Sequence, residues 1–254
     1  PKEHWLDVQG MPASLRAIAR PFERSAATDG ATAAMVAAVR ALVSQVDDGI
    51  GRLAEHIDFA DTLVVFVSDH GDYLGKRGQR WKAPTIPFEA LSRIPFFALG
   101  KGVPSGARYP YPVSLVDLAP TFLEAAGMQI PSELDGRPLQ DCFRSPTSGA
   151  ERAIYCFGAD GVDMVQRRDV KYFRNRTTSD EMLFDLTSDP GELVNVADDA
   201  GRKGCRNRGI RRRTSALNSM VKHLNLVIYR YFRQKRKIVV AAESQTYKVE
   251  IIFG

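Results

Sequence analysis

Asp69 and His70 stand side by side where an apolar run stops, in the stretch FVSDHGDYLGKRG that begins at Phe66. A carboxylate and an imidazole followed by glycine supply half of a divalent-cation site. Carboxylate oxygens suit calcium, magnesium and manganese, and a histidine tilts the preference towards manganese, iron or zinc. The same tripeptide also reads as a capped strand end, with Asp69 accepting backbone N–H groups. Arg77, Arg80 and Lys82 lie within thirteen residues of Asp69, in a glycine-bearing loop. Cations beside a carboxylate-ligated metal are what a sulfate or phosphate group needs, because they share the charge that changes in the transition state. Without a ligand they make a solvated basic loop.

The elements that must position these residues follow from hydrophobic periodicity. Met35, Val36, Val39, Leu42, Val43, Val46, Ile50, Leu53 and Ile57 recur at spacings of three, four and seven. That spacing predicts an amphipathic helix over 31–57. Residues 63–67 are continuously apolar and partly β-branched, the pattern of a strand buried on both faces of a parallel sheet. Ligands of open α/β sheets bind beyond the carboxyl ends of the strands, which is where Asp69 and His70 fall. Residues 94–99 predict another strand. SLVDLAPTFLEAAG predicts a helix capped by Asp117, with Pro120 in its first turn and Gly127 at its stop. LDGRPL is a turn. From about Glu151 the texture changes to short strands, AIYCF, DMVQRRDVKYFRN and EMLFDL, which suggest a small antiparallel sheet attached to the α/β body.

The chain of 254 residues is long enough for one large domain with an appendage. Its net charge of +5 conceals a split: residues 201–254 hold 14 Lys/Arg against 2 Asp/Glu, and residues 1–200 hold 21 against 28. The basic character belongs to the tail, so no nucleic-acid role is expected of the body. No stretch approaches the length of a membrane span. The opening PKEHWLDVQG has neither the basic start nor the apolar core of a leader, and localisation stays open. Cys142, Cys156 and Cys205 form no C-x-x-C pair, which argues against a disulfide framework or a zinc knuckle.

Residues 46–82, VDDGIGRLAEHIDFADTLVVFVSDHGDYLGKRGQRWK, resemble the second half of the sulfatase family in the alkaline phosphatase superfamily. In that family a helix carrying an aspartate and a glycine leads through a D-T-L-V-V-F strand into an S-D-H-G or S-D-N-G metal motif. An L-G-x-[HR]-G loop, a lysine and F-E-x-x-x-R-[VI]-P follow. Here these are Asp47 and Gly49, residues 61–66, 68–71 and 74–78, Lys82, and residues 88–95. SLVDLAPTFLEAAG, LDGRPL and LFDLTSDPGELVNVADD continue the family's order, so the resemblance covers about residues 31–199. It implies an alkaline-phosphatase-like α/β fold, a mixed, mostly parallel sheet flanked by helices, with a small C-terminal antiparallel sheet. It implies three regions: 1–141 as the C-terminal part of the catalytic domain, 142–200 as the small sheet, and 201–254 as a basic tail outside the family.

The resemblance also implies the chemistry of a sulfuric ester hydrolase acting on a small-molecule or saccharide sulfate ester. Asp69 and His70 would ligate the divalent cation, calcium first and manganese second. Lys82 would contact the sulfate, with Arg80 a rival for that role, and Arg77 would lie beside the leaving group. The nucleophile of the family is a formylglycine made from the first residue of C-x-P-x-R or S-x-P-x-R. No cysteine or serine here stands in that motif, and the aspartate pair of the family's first strand has no counterpart. The expectation is an N-terminally incomplete chain, inactive alone. A phosphonate monoester or phosphodiester hydrolase on the same scaffold is the alternative, and a non-catalytic module of that fold is another. The tail after Ala200 reads as a basic, RNA-binding arm or as translation past a frameshift; the abrupt loss of the family's pattern favours the frameshift.

Overall fold

The computed structural model describes residues 8–18, 26–79, 82, 86–145, 147–148, 152–158 and 160–198. The chain divides into two units, residues 1–199 and 200–254, and the second lies outside the described residues, as do the basic tail and Cys205. The first unit begins with helices α1 (Ala13–Ile18) and α2 (Ala26–Ala54), followed by strand β1 (Leu63–Val67), the single-turn helix α3 (Glu89–Ser92) and strand β2 (Phe96–Gly100). A 3₁₀ turn (Leu115–Asp117) leads into α4 (Leu118–Ala125), and α5 (Gln140–Arg144) precedes strands β3 (Ala153–Phe157), β4 (Val162–Arg167), β5 (Val170–Asn175) and β6 (Glu181–Asp185).

The four C-terminal strands form the expected antiparallel sheet, in the order β3-β4-β5-β6. Met164 lies opposite Phe173, and Phe173 opposite Met182, so one face of three strands is a continuous apolar row. On it lie Val8, Met11 and Leu15 from the start of the chain and Tyr73, Ile86, Phe88 and Leu91 from the segment after β1. The Phe88, Phe173 and Phe184 rings sit 5.2–6.0 Å apart, in tilted and edge-on packings. The segment carrying the candidate site is therefore bolted to the small sheet.

Among the described residues β1 lies in a two-stranded sheet. Its partner is β2, antiparallel, with Leu63 opposite Gly100 and Val67 opposite Phe96. A five-residue apolar run specifies burial but says nothing about the direction of its neighbour. Phe66 stacks on Phe97 with centroids 4.7 Å apart. Gly100 is obligatory: it has φ +89°, and a Cβ there would lie 2.1 Å from the Thr62 carbonyl oxygen. Helix α2 begins five residues before the expected start, and its apolar stripe is not covered by β1. Leu42, Val43, Val46 and Leu53 are all at least 55% exposed. The spacing marks a face that wants burial, and the described residues provide no layer for it.

Asp117 stands at the amino end of α4, but its side chain makes no capping hydrogen bond to that helix, which corrects the expected cap. Its carboxylate accepts the Ser114 N–H (2.8 Å) and the Arg137 N–H (2.9 Å) and binds the Arg152 guanidinium, all at a fully buried position. Gly136, in LDGRPL, lies against the Val116 carbonyl, 1.9 Å from where a Cβ would stand. The turn is a strap across the amino end of α4.

Candidate functional site

Strand β1 ends at Val67, and the chain leaves it through Ser68, Asp69 and His70 in an exposed, non-regular segment. The Asp69 side chain is 81% exposed and that of His70 44%. Asp69 Oδ1 accepts the His70 N–H at 2.8 Å, the capped-strand-end geometry, and that hydrogen bond holds the carboxyl below its usual range. Ser68 Oγ donates to the His70 carbonyl at 2.8 Å. His70 Nδ1 lies 2.8 Å from the Gly71 carbonyl oxygen, a contact only an N–H can make well. In the neutral ring this leaves the Nε2 lone pair free to face outward.

Two groups approach that nitrogen. Asp69 Oδ2 is 3.5 Å from Nε2, and Lys82 Nζ is 3.4 Å from it. Two donors binding one hard cation in adjacent positions, at bond lengths of about 2.0–2.6 Å, are separated by about 2.8–3.7 Å. The Asp69–His70 spacing fits that requirement, and the imidazole tilts such a donor pair towards manganese, iron or zinc. Among the described residues no group of three or more His, Cys, Asp and Glu is placed to hold a metal. Lys82 is exposed and brings its ammonium to the same place. Arg80 lies outside the described residues.

Arg77 is not there, which corrects the expectation of a substrate contact. Its guanidinium is 4% exposed, stacked 4.0 Å over the Phe88 ring, and donates to the Gly191 and Glu192 carbonyls. Its counter-ion is the Glu192 carboxylate at 3.6 Å. A guanidinium enclosed in this way cannot reach a solvent-borne anion. Glu192 also meets Lys171 Nζ at 3.1 Å and accepts the Glu89 N–H at 2.9 Å. Lys171, with no exposed side-chain surface, reaches Glu89 Oε1 and Ser92 Oγ, both at 2.8 Å. Burial pushes the Glu192 carboxyl up, and Lys171 and Arg77 pull it back. Sequence reasoning missed Glu192 and Lys171. The available signal was Glu192 inside SDPGELVN, an acid with no local basic partner in a segment otherwise read as a turn.

Gly71 serves close approach. Its N–H donates to the Leu91 carbonyl at 2.8 Å, and a Cβ would lie 2.0 Å from the Ala90 carbonyl oxygen. The site segment thus rests directly on α3. Beyond it Leu74, Gly75, Arg77 and Gly78 all have positive φ, a tight coil that Tyr73 anchors by donating from its buried hydroxyl to the Ile86 carbonyl at 2.8 Å.

Comparison with known proteins adds the following. The model of a family described as Sulfatase matches residues 10–128, and that of N-sulphoglucosamine sulphohydrolase, C-terminal, matches residues 86–217. An arylsulfatase of Clostridium perfringens is 31% identical over 165 residues, 61% of this chain and 34% of its own length. A choline-sulfatase of Rhizobium meliloti is 33% identical over 168 residues, 61% of this chain and 32% of its own. The chain therefore spans about a third of the length of these relatives. The crystal structure of a phosphonate monoester hydrolase of Agrobacterium radiobacter superposes on 70% of this chain and 40% of its own, with a TM-score of 0.55 at 22% identity, which shows a shared fold.

Proposed function

This chain belongs to the sulfatase family, and from that premise we propose that it is the carboxyl-terminal part of a sulfuric ester hydrolase and carries half of its cation and anion site. The supporting observation is that the Asp69 carboxylate and the Lys82 ammonium each approach Nε2 of His70, at 3.5 and 3.4 Å. Asp69 and His70 would hold a divalent cation, calcium first and manganese second. Bound there, the cation supplies positive charge that polarises the ester's oxyanion. The chain's own residues do the rest of this half. The Gly71 carbonyl keeps the His70 proton on Nδ1. The exposed ammonium of Lys82 offers charge to one sulfate oxygen. The nucleophile, a formylglycine by family resemblance, is not among these 254 residues: no cysteine or serine stands in C-x-P-x-R or S-x-P-x-R. Arg80 is the second candidate for the sulfate contact. The same reading assigns residues 1–141 to the catalytic part and 142–200 to the small sheet.

The test uses two proteins. The chain alone, incubated with an aryl sulfate and excess calcium or manganese, should match the background rate of a variant with Asp69→Ala and His70→Ala together. A rate clearly above that variant's would mean that a nucleophile lies within the chain. In a longer polypeptide joining this chain to a segment with C-x-P-x-R, an aryl sulfate should turn over faster than the matched aryl phosphonate. The opposite preference would make the protein a phosphonate hydrolase.

A further inference from the structure

The buried charges around Glu192 lie away from the reacting groups, yet they hold α3, on which the site segment rests. Glu192 is 2% exposed, Arg77 4% and Lys171 0%, so the cluster is sealed from water. It ties together parts of the chain that are far apart in sequence. Arg77 comes from the coil after the site, Lys171 from β5, Glu192 from the turn after β6, and Glu89 and Ser92 from α3. Helix α3 has one turn and no side-chain cap at its start. The first N–H of that turn, on Glu89, is taken by the Glu192 carboxylate, while Lys171 holds Glu89 and Ser92. A one-turn helix has little stability of its own, so its position is set by these contacts. Onto its backbone Gly71 packs, at a separation that leaves no room for a methyl group.

We infer that Glu192 and Lys171 are positioning residues for the Asp69–His70 pair, acting through α3 and Gly71 at one end of the loop and through Arg77 at the other. The loop between residues 71 and 77 is then pinned at three points: Gly71 on Leu91, the Tyr73 hydroxyl on Ile86, and Arg77 on Glu192. Two of the three depend on the buried cluster, so its loss should loosen the loop before it unfolds the sheet. The cation role of the pair rests on the function proposed above; the positioning of the loop does not.

Amide hydrogen exchange across residues 68–75 of the whole chain separates the two. Glu192→Gln should speed exchange of the Gly71 amide by about tenfold or more, because the network that holds its acceptor is broken. Asp163→Asn is the control: it breaks an ion pair outside this cluster, Asp163–Arg176 at 2.6 Å, in which the carboxylate is buried and the guanidinium partly exposed. It should leave residues 68–75 unchanged. Ser92→Ala removes a hydroxyl that accepts from Lys171 and donates to the Phe88 carbonyl, keeps every charge of the cluster, and serves if Glu192→Gln does not fold; it should give the same local effect at smaller size. Equal exchange at residues 68–75 in the Glu192 variant and the control, or no local effect in a folded Ser92→Ala, overturns the inference. Manganese titration of the same proteins gives the second readout. Glu192→Gln should weaken binding by about 10–100-fold, the usual loss when a ligand's support is removed. If the unaltered chain binds no manganese, the cation reading fails, and the exchange data still decide the positioning role.

Discussion

Replacing Lys171 with methionine is the sharpest structural perturbation available, because the lysine is fully enclosed and its three polar partners are all known. Its Nζ meets Glu89 Oε1 and Ser92 Oγ at 2.8 Å and Glu192 Oε1 at 3.1 Å. Methionine fills the same volume and removes the charge. Glu192 keeps Arg77 at 3.6 Å, but Glu89, only 20% exposed, loses its buried cation. Breaking a buried pair from one side costs about 3–5 kcal/mol. Domains of this size are stable by about 5–15 kcal/mol, so the variant should remain folded but marginal. At a slope of about 1–3 kcal/mol per molar urea, the unfolding midpoint should fall by about 1–3 M. Adding Glu192→Gln to the variant should cost less than the two changes made separately, because the excess buried carboxylate is gone; a coupling of at least about 1 kcal/mol is expected. The pH dependence has a definite sign. Burial already raises the Glu192 carboxyl, and Lys171 is the stronger of the two cations opposing that rise. Without it the carboxyl rises further. A raised carboxyl loses folded-state stability as pH climbs through the interval from its ordinary value to the raised one. The deficit of the Lys171 variant should therefore shrink as pH falls from neutrality towards about 5. A loss under about 1 kcal/mol, or a deficit that grows on acidification, would refute the reasoning.

Two other changes separate neighbouring causes. Gly71→Ala places a methyl 2.0 Å from the Ala90 carbonyl oxygen, whereas Gly127→Ala meets open space and suffers only its positive φ of 69°. Thermal unfolding should show a loss of about 1–3 kcal/mol or more for Gly71→Ala and about 1 kcal/mol for Gly127→Ala; the reverse order would contradict the close-approach reading. Asp117→Asn leaves one oxygen to serve two backbone N–H groups and leaves Arg152 without its carboxylate. It should cost about 3 kcal/mol or more by urea unfolding, against under about 1 kcal/mol for Lys101→Ala, which breaks an exposed pair with Asp61.

What could be read from the sequence divides along physical lines. Strands β3 to β6 were legible because short segments rich in apolar and aromatic residues, separated by short turns, leave antiparallel neighbours as the natural pairing. The adjacency of Asp69 and His70 needed no folding to be seen, and their place after a strand followed from the abrupt end of the apolar run; the burial expected on both faces did not, since residues 63–67 are only partly buried. Arg77 was misleading for the same local reason. By spacing it is one more base in a basic loop, and only a carboxylate 115 residues further on turns it inward. The stripe on α2 announced a face requiring burial without naming its cover. The direction of β1's neighbour was likewise invisible, since direction is a property of the partner strand. Long-range ion pairs and sheet order are set by tertiary packing, which local periodicity does not encode.

The most direct measurement is paramagnetic broadening of backbone amide signals as manganese is added to the isotopically labelled chain, since it detects weak binding by an incomplete ligand set. Broadening should centre on Ser68, Asp69, His70 and Gly71, reach Lys82, be relieved by excess calcium, and vanish in the protein carrying both Asp69→Ala and His70→Ala. Broadening that centres elsewhere, or that persists in that variant, would contradict the assignment of this pair to the cation.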